Sequence, residues 1–195
     1  MPGVPQDFLM SGEACYDYQL DTYHLAYFRS ASKTYLPLSR YMQPMAQLMT
    51  AVTGFNDRNM INQCLMYRFI ISYEPFNFKG SLEDFPQTVT YGKQMDALRT
   101  AYRKWFWDGV YQHHDDALAK SAGGSPWETY SVYKASDGSL GLVVVNYEND
   151  DAAVNVTVEG NAASYQYRLV DGEQWKAADT GLLLPPYSAA IVVPC

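Results

Sequence analysis

Two groups of carboxyl and tyrosine side chains are the candidates for chemistry in this chain. Glu13, Tyr16 and Asp17 follow an apolar run near the start, and Tyr73 and Glu74 end a β-branched and aromatic run further on. A carboxyl group can donate and accept a proton, and a tyrosine ring offers a flat apolar face beside a hydroxyl. Apolar neighbours desolvate a carboxyl group and raise its pKa toward the range that a general acid needs. The combination suits a cleft that binds and cleaves sugars.

Several roles stay open for these carboxylates. Glu13 could be a proton donor, a ligand for a sugar hydroxyl or the partner of an arginine. We expect Asp17 to bind a hydroxyl or cap a loop rather than act in catalysis. Glu74 could reach the same cleft or pair with Lys79 or Arg68. The histidines and cysteines show no metal-ligand spacing, so we expect neither a metal nor an organic cofactor.

The elements that position these residues are predicted to be strand–helix repeats. Strands are expected at residues 7–12, in the first part of 41–51 and at 69–74. Helical segments are expected at residues 21–30, from 56 onward and at 88–107. This order is typical of a parallel sheet with right-handed crossovers. The carboxyl ends of all its strands then meet at one edge, which would bring Glu13 and Glu74 together.

The hydrophobic period changes to two after the Gly-rich segment at residues 121–126. A hairpin is predicted around Ser136 to Ser139, followed by further short strands with alternating side chains. Strands at this spacing indicate an antiparallel sandwich. We therefore expect two domains, residues 1–120 and 121–195.

Composition excludes several classes of function. The chain has 195 residues, of which 48% are hydrophobic and 18% charged, with a net charge of −7. An acidic chain without basic runs argues against nucleic acid and anionic membranes as partners, and no apolar stretch approaches the ~20 residues of a membrane span. No signal peptide is visible, but a truncated N-terminus would not show one, so a secreted, periplasmic or cytoplasmic location in a bacterium stays open. The 17 tyrosines fit a sugar cleft and core packing alike.

The motifs, taken in order, resemble the C-terminal part of bacterial glycoside-hydrolase-like barrel proteins. The likeness is to proteins near the α-galactosidase/α-glucosidase clan, whose activities are often unassigned. It is carried by GEACYDYQ (12–19), DRNMINQCLMYRF (57–69), IISYEPFNFKG (70–80), YGKQMDALRTAYRKWFWDG (91–109) and LLLPPYSAAIVVP (182–194).

This resemblance implies a partial (β/α)8 barrel, its last three strand–helix units, followed by an antiparallel β-sandwich. Glu13 would then end the sixth strand, where that clan places its general acid/base, although the clan usually has aspartate there. The nucleophile would lie upstream, in the missing N-terminal part of the barrel, while Tyr16, Asp17, Tyr73 and Glu74 would bind the carbohydrate substrate. The implied activity is hydrolysis of O-glycosidic bonds by a two-carboxylate mechanism. This piece alone would be inactive. The alternative is a non-catalytic carbohydrate-binding or structural module.

Overall fold

The computed structural model describes residues 10–13, 23–28, 38–53, 58–75, 80–159 and 164–195. Up to residue 106 the described chain forms strands and helices in alternation. The strands are β1 (Ser11–Glu13), β2 (Leu25–Phe28), β3 (Leu48–Val52) and β4 (Phe69–Tyr73). The α-helices are α1 (Leu38–Met42), α2 (Asn59–Met66), α3 (Pro86–Ala101) and α4 (Arg103–Phe106). A 3₁₀ turn, Leu82–Asp84, precedes α3.

The four strands form one parallel sheet in the order β1-β2-β3-β4. One row of backbone partners runs across it through Gly12, Ala26, Leu48 and Phe69. Because side chains alternate along each strand, this row and every second row after it share one face. Ala26, Leu48 and Phe69 are buried there in a core that also contains Leu65 of α2. The sheet is open, since its described strands do not close into a barrel.

The helical prediction for residues 21–30 is wrong, because the described part of this segment contains β2. A short apolar run such as Leu25 to Phe28 has no period that separates a buried strand from a helical turn. The parallel sheet therefore has four described strands, one more than the sequence indicated.

The strand expected in the first part of residues 41–51 is also wrong, because the strand of this segment lies at its end. Helix α1 ends at Met42 before Pro44, whose ring cannot continue a helix, and β3 begins only at Leu48. The strand at 69–74 and the helix after residue 56 are confirmed. The long helix expected at 88–107 is present as α3 and α4, separated at Tyr102.

Beyond α4 the chain forms antiparallel sheets. Their strands are β5 (Val110–His113), β6 (Ala117–Ser121), β7 (Tyr130–Lys134), β8 (Leu140–Asn146), β9 (Ala152–Val158), β10 (Tyr165–Leu169), β11 (Lys176–Ala177), β12 (Leu182–Leu184) and β13 (Ser188–Pro194). One sheet has the order β11-β10-β13-β8-β7-β5, and the other has the order β12-β9-β6. The expected hairpin is β7–β8, in which Gly138 has the positive φ of 83° that its turn requires. Apolar side chains of the two sheets face each other, among them Leu142, Val154 and Leu182.

The antiparallel part begins before the Gly-rich segment that was expected to separate two domains. Strand β5 pairs with β7 and β6 pairs with β9, so residues 110–121 already belong to these sheets. The segment at 121–126 is a turn closed by backbone bonds from Gly124 N to Ser121 O and from Ser121 N to Ser125 O. The mixed α/β and antiparallel β architecture is confirmed, whereas this segment is not a spacer between the two parts.

Helices lie between the parallel sheet and the six-stranded sheet. Cys64 and Leu65 of α2 and Met95 of α3 share one core with Val143 of β8 and Ile191 of β13. Polar bonds join the same layers, because the Asn62 side chain donates to Tyr187 O at 3.0 Å and accepts from the Tyr91 hydroxyl at 2.6 Å. The α/β part and the β part therefore share a continuous core.

Two buried arginines fix the amino end of the parallel sheet. Arg40 and Arg68 are 0% and 3% exposed. Arg40 donates to backbone carbonyls that include Ala46 O at 2.7 Å and Tyr67 O at 3.0 Å. Arg68 donates to Pro44 O, to Trp107 O at 3.0 Å and to Gly109 O at 2.6 Å. Guanidinium–carbonyl bonds thus join the segments that enter β3, β4 and β5. Burial lowers the pKa of Arg68.

In the part of the chain that the structure describes, every helix is too short or too polar to cross a membrane.

Candidate functional site

The candidate site lies at the carboxyl edge of the parallel sheet. Glu13 ends β1, and its backbone is the register partner of Tyr27 in β2. Glu74 follows β4 directly, and its N–H donates to Val52 O at the end of β3 at 3.0 Å. The structure therefore places the backbones of Glu13 and Glu74 at the same end of one sheet, as the sequence indicated.

Glu74 is a buried carboxylate whose two oxygens differ in their partners. The residue is 4% exposed. Its Oε1 accepts hydrogen bonds from the Tyr27 hydroxyl and from Ser72 Oγ, the latter at 3.0 Å. Its Oε2 is buried and has no hydrogen-bond partner among the described residues. A buried carboxylate oxygen without a donor is costly, so this group is a candidate for contact with a ligand.

The alternation of side chains explains why these groups meet. Tyr27 and Met49 lie in the same register row, and Ser72 and Glu74 follow at even spacing on the same face of β4. This is the face opposite to the one that packs on the helices.

Tyr73 lies on the other face of β4, against helix α3. A Cβ atom placed on Gly92 would come within 1.9 Å of the Tyr73 hydroxyl oxygen, so a side chain at that position of α3 would displace the Tyr73 ring. Burial raises the pKa of Tyr73. The structure therefore does not bring Tyr73 to the side chain of Glu74, although the two residues are adjacent in sequence.

The remaining predicted site residues have the following positions. Tyr16 and Asp17 lie outside the described residues, as does Lys79, one of the two cations considered as partners of Glu74. Arg68, the other, lies at the opposite end of β4 and donates to backbone carbonyls.

Tyr27 is a site residue that the sequence did not single out. No local signal marks it, because Leu25 to Phe28 are all apolar or aromatic and the run has no period of its own.

His113 ends β5 and His114 follows it, and both rings belong to a stack of aromatic side chains. The His113 and His114 rings stack with centroids 3.7 Å apart, and His114 stacks on Tyr130 at 3.9 Å. The ring of Tyr41 in α1 lies with its centroid 4.7 Å from that of His113. His114 Nε2 donates to Tyr130 O at 3.0 Å. Desolvation lowers the pKa of both histidines, and each is half-buried. These ring contacts pack α1 against the six-stranded sheet.

Metal ligands are not assembled within the described residues, where no group of three or more histidine, cysteine or acidic side chains comes together. Cys64 is buried in the core, where desolvation raises its pKa to about 12, which is typical of an inert thiol. Cys195 is an exposed free cysteine. The groups that the described site brings together are the Glu74 carboxylate and the hydroxyls of Tyr27 and Ser72.

A separate groove runs beside the sheet. It has a volume of 710 Å³ and lies between the outer edge of β4 and helix α3. Ile71 and Tyr73 line it on the strand side, and Arg99 and Trp107 line it on the other. Glu74 is not among its lining residues, so the groove and the carboxylate are distinct features.

No family model matches the chain, and no curated protein matches it.

Proposed function

We propose that this chain is part of a barrel-type glycoside hydrolase that cleaves O-glycosidic bonds of carbohydrates with carboxylates at the carboxyl edge of its parallel sheet. The observation that carries the proposal is the buried Glu74, whose Oε1 is held by Tyr27 and Ser72 while Oε2 has no partner among the described residues. Barrel enzymes place their chemistry at the carboxyl ends of their strands, and glycosidases use carboxyl groups for it.

The fold supports a barrel followed by a β-sandwich as the architecture of the proposed enzyme. Four sequential parallel strands with helices on one face are half of the strands of an eight-stranded barrel. The two facing antiparallel sheets would be the β-sandwich that follows it. The complementary half of the barrel would then be the partner of this chain.

The fourth strand changes the position that strand counting gives to Glu13. If β4 is the eighth strand of the barrel, β1 is the fifth and β2 the sixth. The assignment of Glu13 as acid/base therefore no longer rests on that count. It rests on the position of Glu13 at the carboxyl edge and on its register with Tyr27, the residue that holds Glu74.

In the proposed mechanism Glu13 donates a proton to the leaving oxygen of the glycosidic bond. Glu74, fixed by two hydroxyl donors, accepts a hydrogen bond from a sugar hydroxyl through Oε2 and so orients the ring. Tyr16 and Asp17 are proposed as further sugar ligands. The nucleophile or base would come from the complementary half, so this chain alone should bind sugars weakly and hydrolyse none.

The decisive experiment compares two proteins on a panel of aryl α- and β-glycosides. One is this chain, and the other is this chain joined to the sequence that precedes it in its natural reading frame. We expect aglycone release by the longer protein only. Glu13→Gln should lower its kcat by about 10²–10⁴-fold, Glu74→Gln should mainly raise KM, and the exposed Glu83→Gln should change neither.

Two outcomes would contradict the proposal. Sugar binding by the folded longer protein without turnover of any glycoside would favour the non-catalytic binding module. Turnover by this chain alone that disappears in Glu13→Gln would show that a complete site lies within its 195 residues.

A further inference from the structure

Two polar side chains at the start of helix α2 bind connections of the β part. Arg58 precedes the helix and donates to the carboxylate of Asp171, which lies between β10 and β11. Asn59 is the first helical residue and donates to Tyr147 O, just after β8, at 3.1 Å. Strands β8 and β10 both pair antiparallel with β13, so these two connections lie at the same end of the six-stranded sheet. That end of the β part therefore holds the start of α2.

Arg58 also contacts a buried polar network between α2 and α3. Its guanidinium lies 4.4 Å from the centre of the Tyr91 ring in α3. Tyr91 is 2% exposed, and its hydroxyl donates to Asn62 of α2 at 2.6 Å. Asn62 in turn donates to Tyr187 O of the β part at 3.0 Å. A cation above an aromatic ring is attracted to it, so Arg58 binds Asp171 on one side and the Tyr91 ring on the other.

Two routes of bonded or packed groups lead from Arg58 to Glu74. Along the first, Arg58 ends the connection from β3 to α2, and Val52 O at the end of β3 accepts from Glu74 N–H at 3.0 Å. Along the second, Gly92 follows the tyrosine on which Arg58 packs and lies against the hydroxyl of Tyr73, the residue before Glu74. Packed and hydrogen-bonded groups of this kind can carry coupling between two positions. A shift of Arg58 is therefore expected to reach Glu74.

We propose that Asp171 of the β part is a positioning residue of the candidate site and keeps Glu74 in place through Arg58. The inference rests on the proposed function for the ligand of Glu74, a sugar. The Asp171 and Arg58 side chains are 31% and 43% exposed. An ion pair with that exposure contributes little to the stability of a fold. What the pair does supply is a charged contact of fixed direction, which orients the start of α2 relative to the β part.

The first test uses this chain alone and follows the hydrogen exchange of its backbone amides by NMR. Asp171→Asn removes the charge at nearly constant size. We expect it to raise the ratio of the Glu74 exchange rate to that of Val143 in β8 by about two- to fivefold. Asp171→Glu keeps the charge and should leave the ratio close to that of the natural chain. Asp116→Asn is the matched control, because it breaks an ion pair with Lys134 inside the β part, and it should not change the ratio.

The second test uses this chain joined to the sequence that precedes it, with aryl glycosides as substrates. Asp171→Asn should raise KM by about two- to fivefold and leave kcat within about twofold of the natural value. In the Glu74→Gln background the same substitution should leave KM unchanged, because the carboxylate that Asp171 positions is then absent.

The proposal is overturned if Asp171→Asn leaves the exchange ratio unchanged, or if it speeds exchange at Glu74 and Val143 equally, since the pair would then only stabilise the fold. It is equally overturned if the rise in KM persists in the Glu74→Gln background. The proposed function fails by a different result. A longer protein that turns over no glycoside would refute the activity, while the exchange ratio, which needs neither sugar nor turnover, would still decide whether Asp171 positions Glu74.

Discussion

The hydrogen bond from Tyr27 to Glu74 has a measurable consequence for stability. Tyr27→Phe removes one of the two donors that Oε1 accepts from among the described residues, and it leaves Ser72 as the remaining one there. A hydrogen bond to a charged group contributes about 1.5–3 kcal/mol. We therefore expect Tyr27→Phe to lower the free energy of unfolding by that amount, measured by urea denaturation at pH 7.

The double-mutant cycle with Glu74→Met isolates this pair. Without the carboxylate, Tyr27→Phe should cost less than about 0.5 kcal/mol, so the coupling energy should be about 1.5–3 kcal/mol. Tyr102→Phe is the matched control, because the Tyr102 ring packs on Trp175 and its hydroxyl has no hydrogen bond among the described residues. An equal cost of Tyr27→Phe in both backgrounds would refute the contact and, with it, the observation on which the proposed function rests.

Substitutions at the same site can test whether the buried carboxylate stabilises the fold. Replacing all three members by apolar groups, as in Tyr27→Phe, Ser72→Ala and Glu74→Met together, removes the buried charge and both of its donors. Replacing a buried ionic group with all of its partners is often neutral or stabilising by about 1–4 kcal/mol. We expect the triple variant to be at least as stable as the natural chain. Such a result is typical of a carboxylate that is kept for binding or catalysis rather than for folding.

Three further outcomes follow from contacts elsewhere in the fold. Arg68→Met should lower the free energy of unfolding by at least about 2 kcal/mol in urea, since the buried Gly109 carbonyl and the partly buried Trp107 carbonyl lose their donor at about 1–3 kcal/mol each. Gly141→Ala should cost about 1–3 kcal/mol, because a Cβ there would lie 2.6 Å from Trp105 Cγ, and thermal unfolding would show no loss if that approach were wrong. The lowered pKa values of His113 and His114 mean that the unfolded chain takes up protons first, so stability should fall as the pH drops below the ordinary value of 6.5. His113→Phe should flatten this fall between pH 7 and pH 5, and an unchanged slope would contradict the assignment.

The sequence predicted those elements whose signals are local. The run from Phe69 to Glu74 is β-branched and bounded by Pro75, and the hairpin around Gly138 has its turn residues in place. Strand β2 was missed because four apolar residues carry no period of their own, and their strand geometry comes from pairing with β1 and β3. The early start of the antiparallel part was missed for a similar reason, since β5 and β6 are defined by partners that follow much later in the chain.

The candidate site was predictable in part. That Glu13 and Glu74 share one edge follows from parallel strands alone. That Tyr27 holds Glu74, and that Tyr73 packs on α3 instead, depends on which residues fall on which face. A register that places Glu74 on one face necessarily places Tyr73 on the other. Sequence proximity was therefore a poor guide to which tyrosine accompanies the carboxylate.

Buried charged side chains lie at both ends of the parallel sheet and make different kinds of contact. At the amino end, Arg40 and Arg68 donate to several backbone carbonyls and so join the strand starts to the entry of the β part. At the carboxyl end, Glu74 keeps one buried oxygen without a partner among the described residues. A fold selected for stability alone would remove that oxygen or give it a donor. Arg99, beside Phe69 at the start of β4, also has a buried Nε without a partner among the described residues, so an unsatisfied polar atom alone does not assign a role. Glu74 differs because its unpartnered oxygen belongs to a carboxylate at the edge where parallel sheets bind their ligands, and the carboxyl end is therefore where a substrate should be sought.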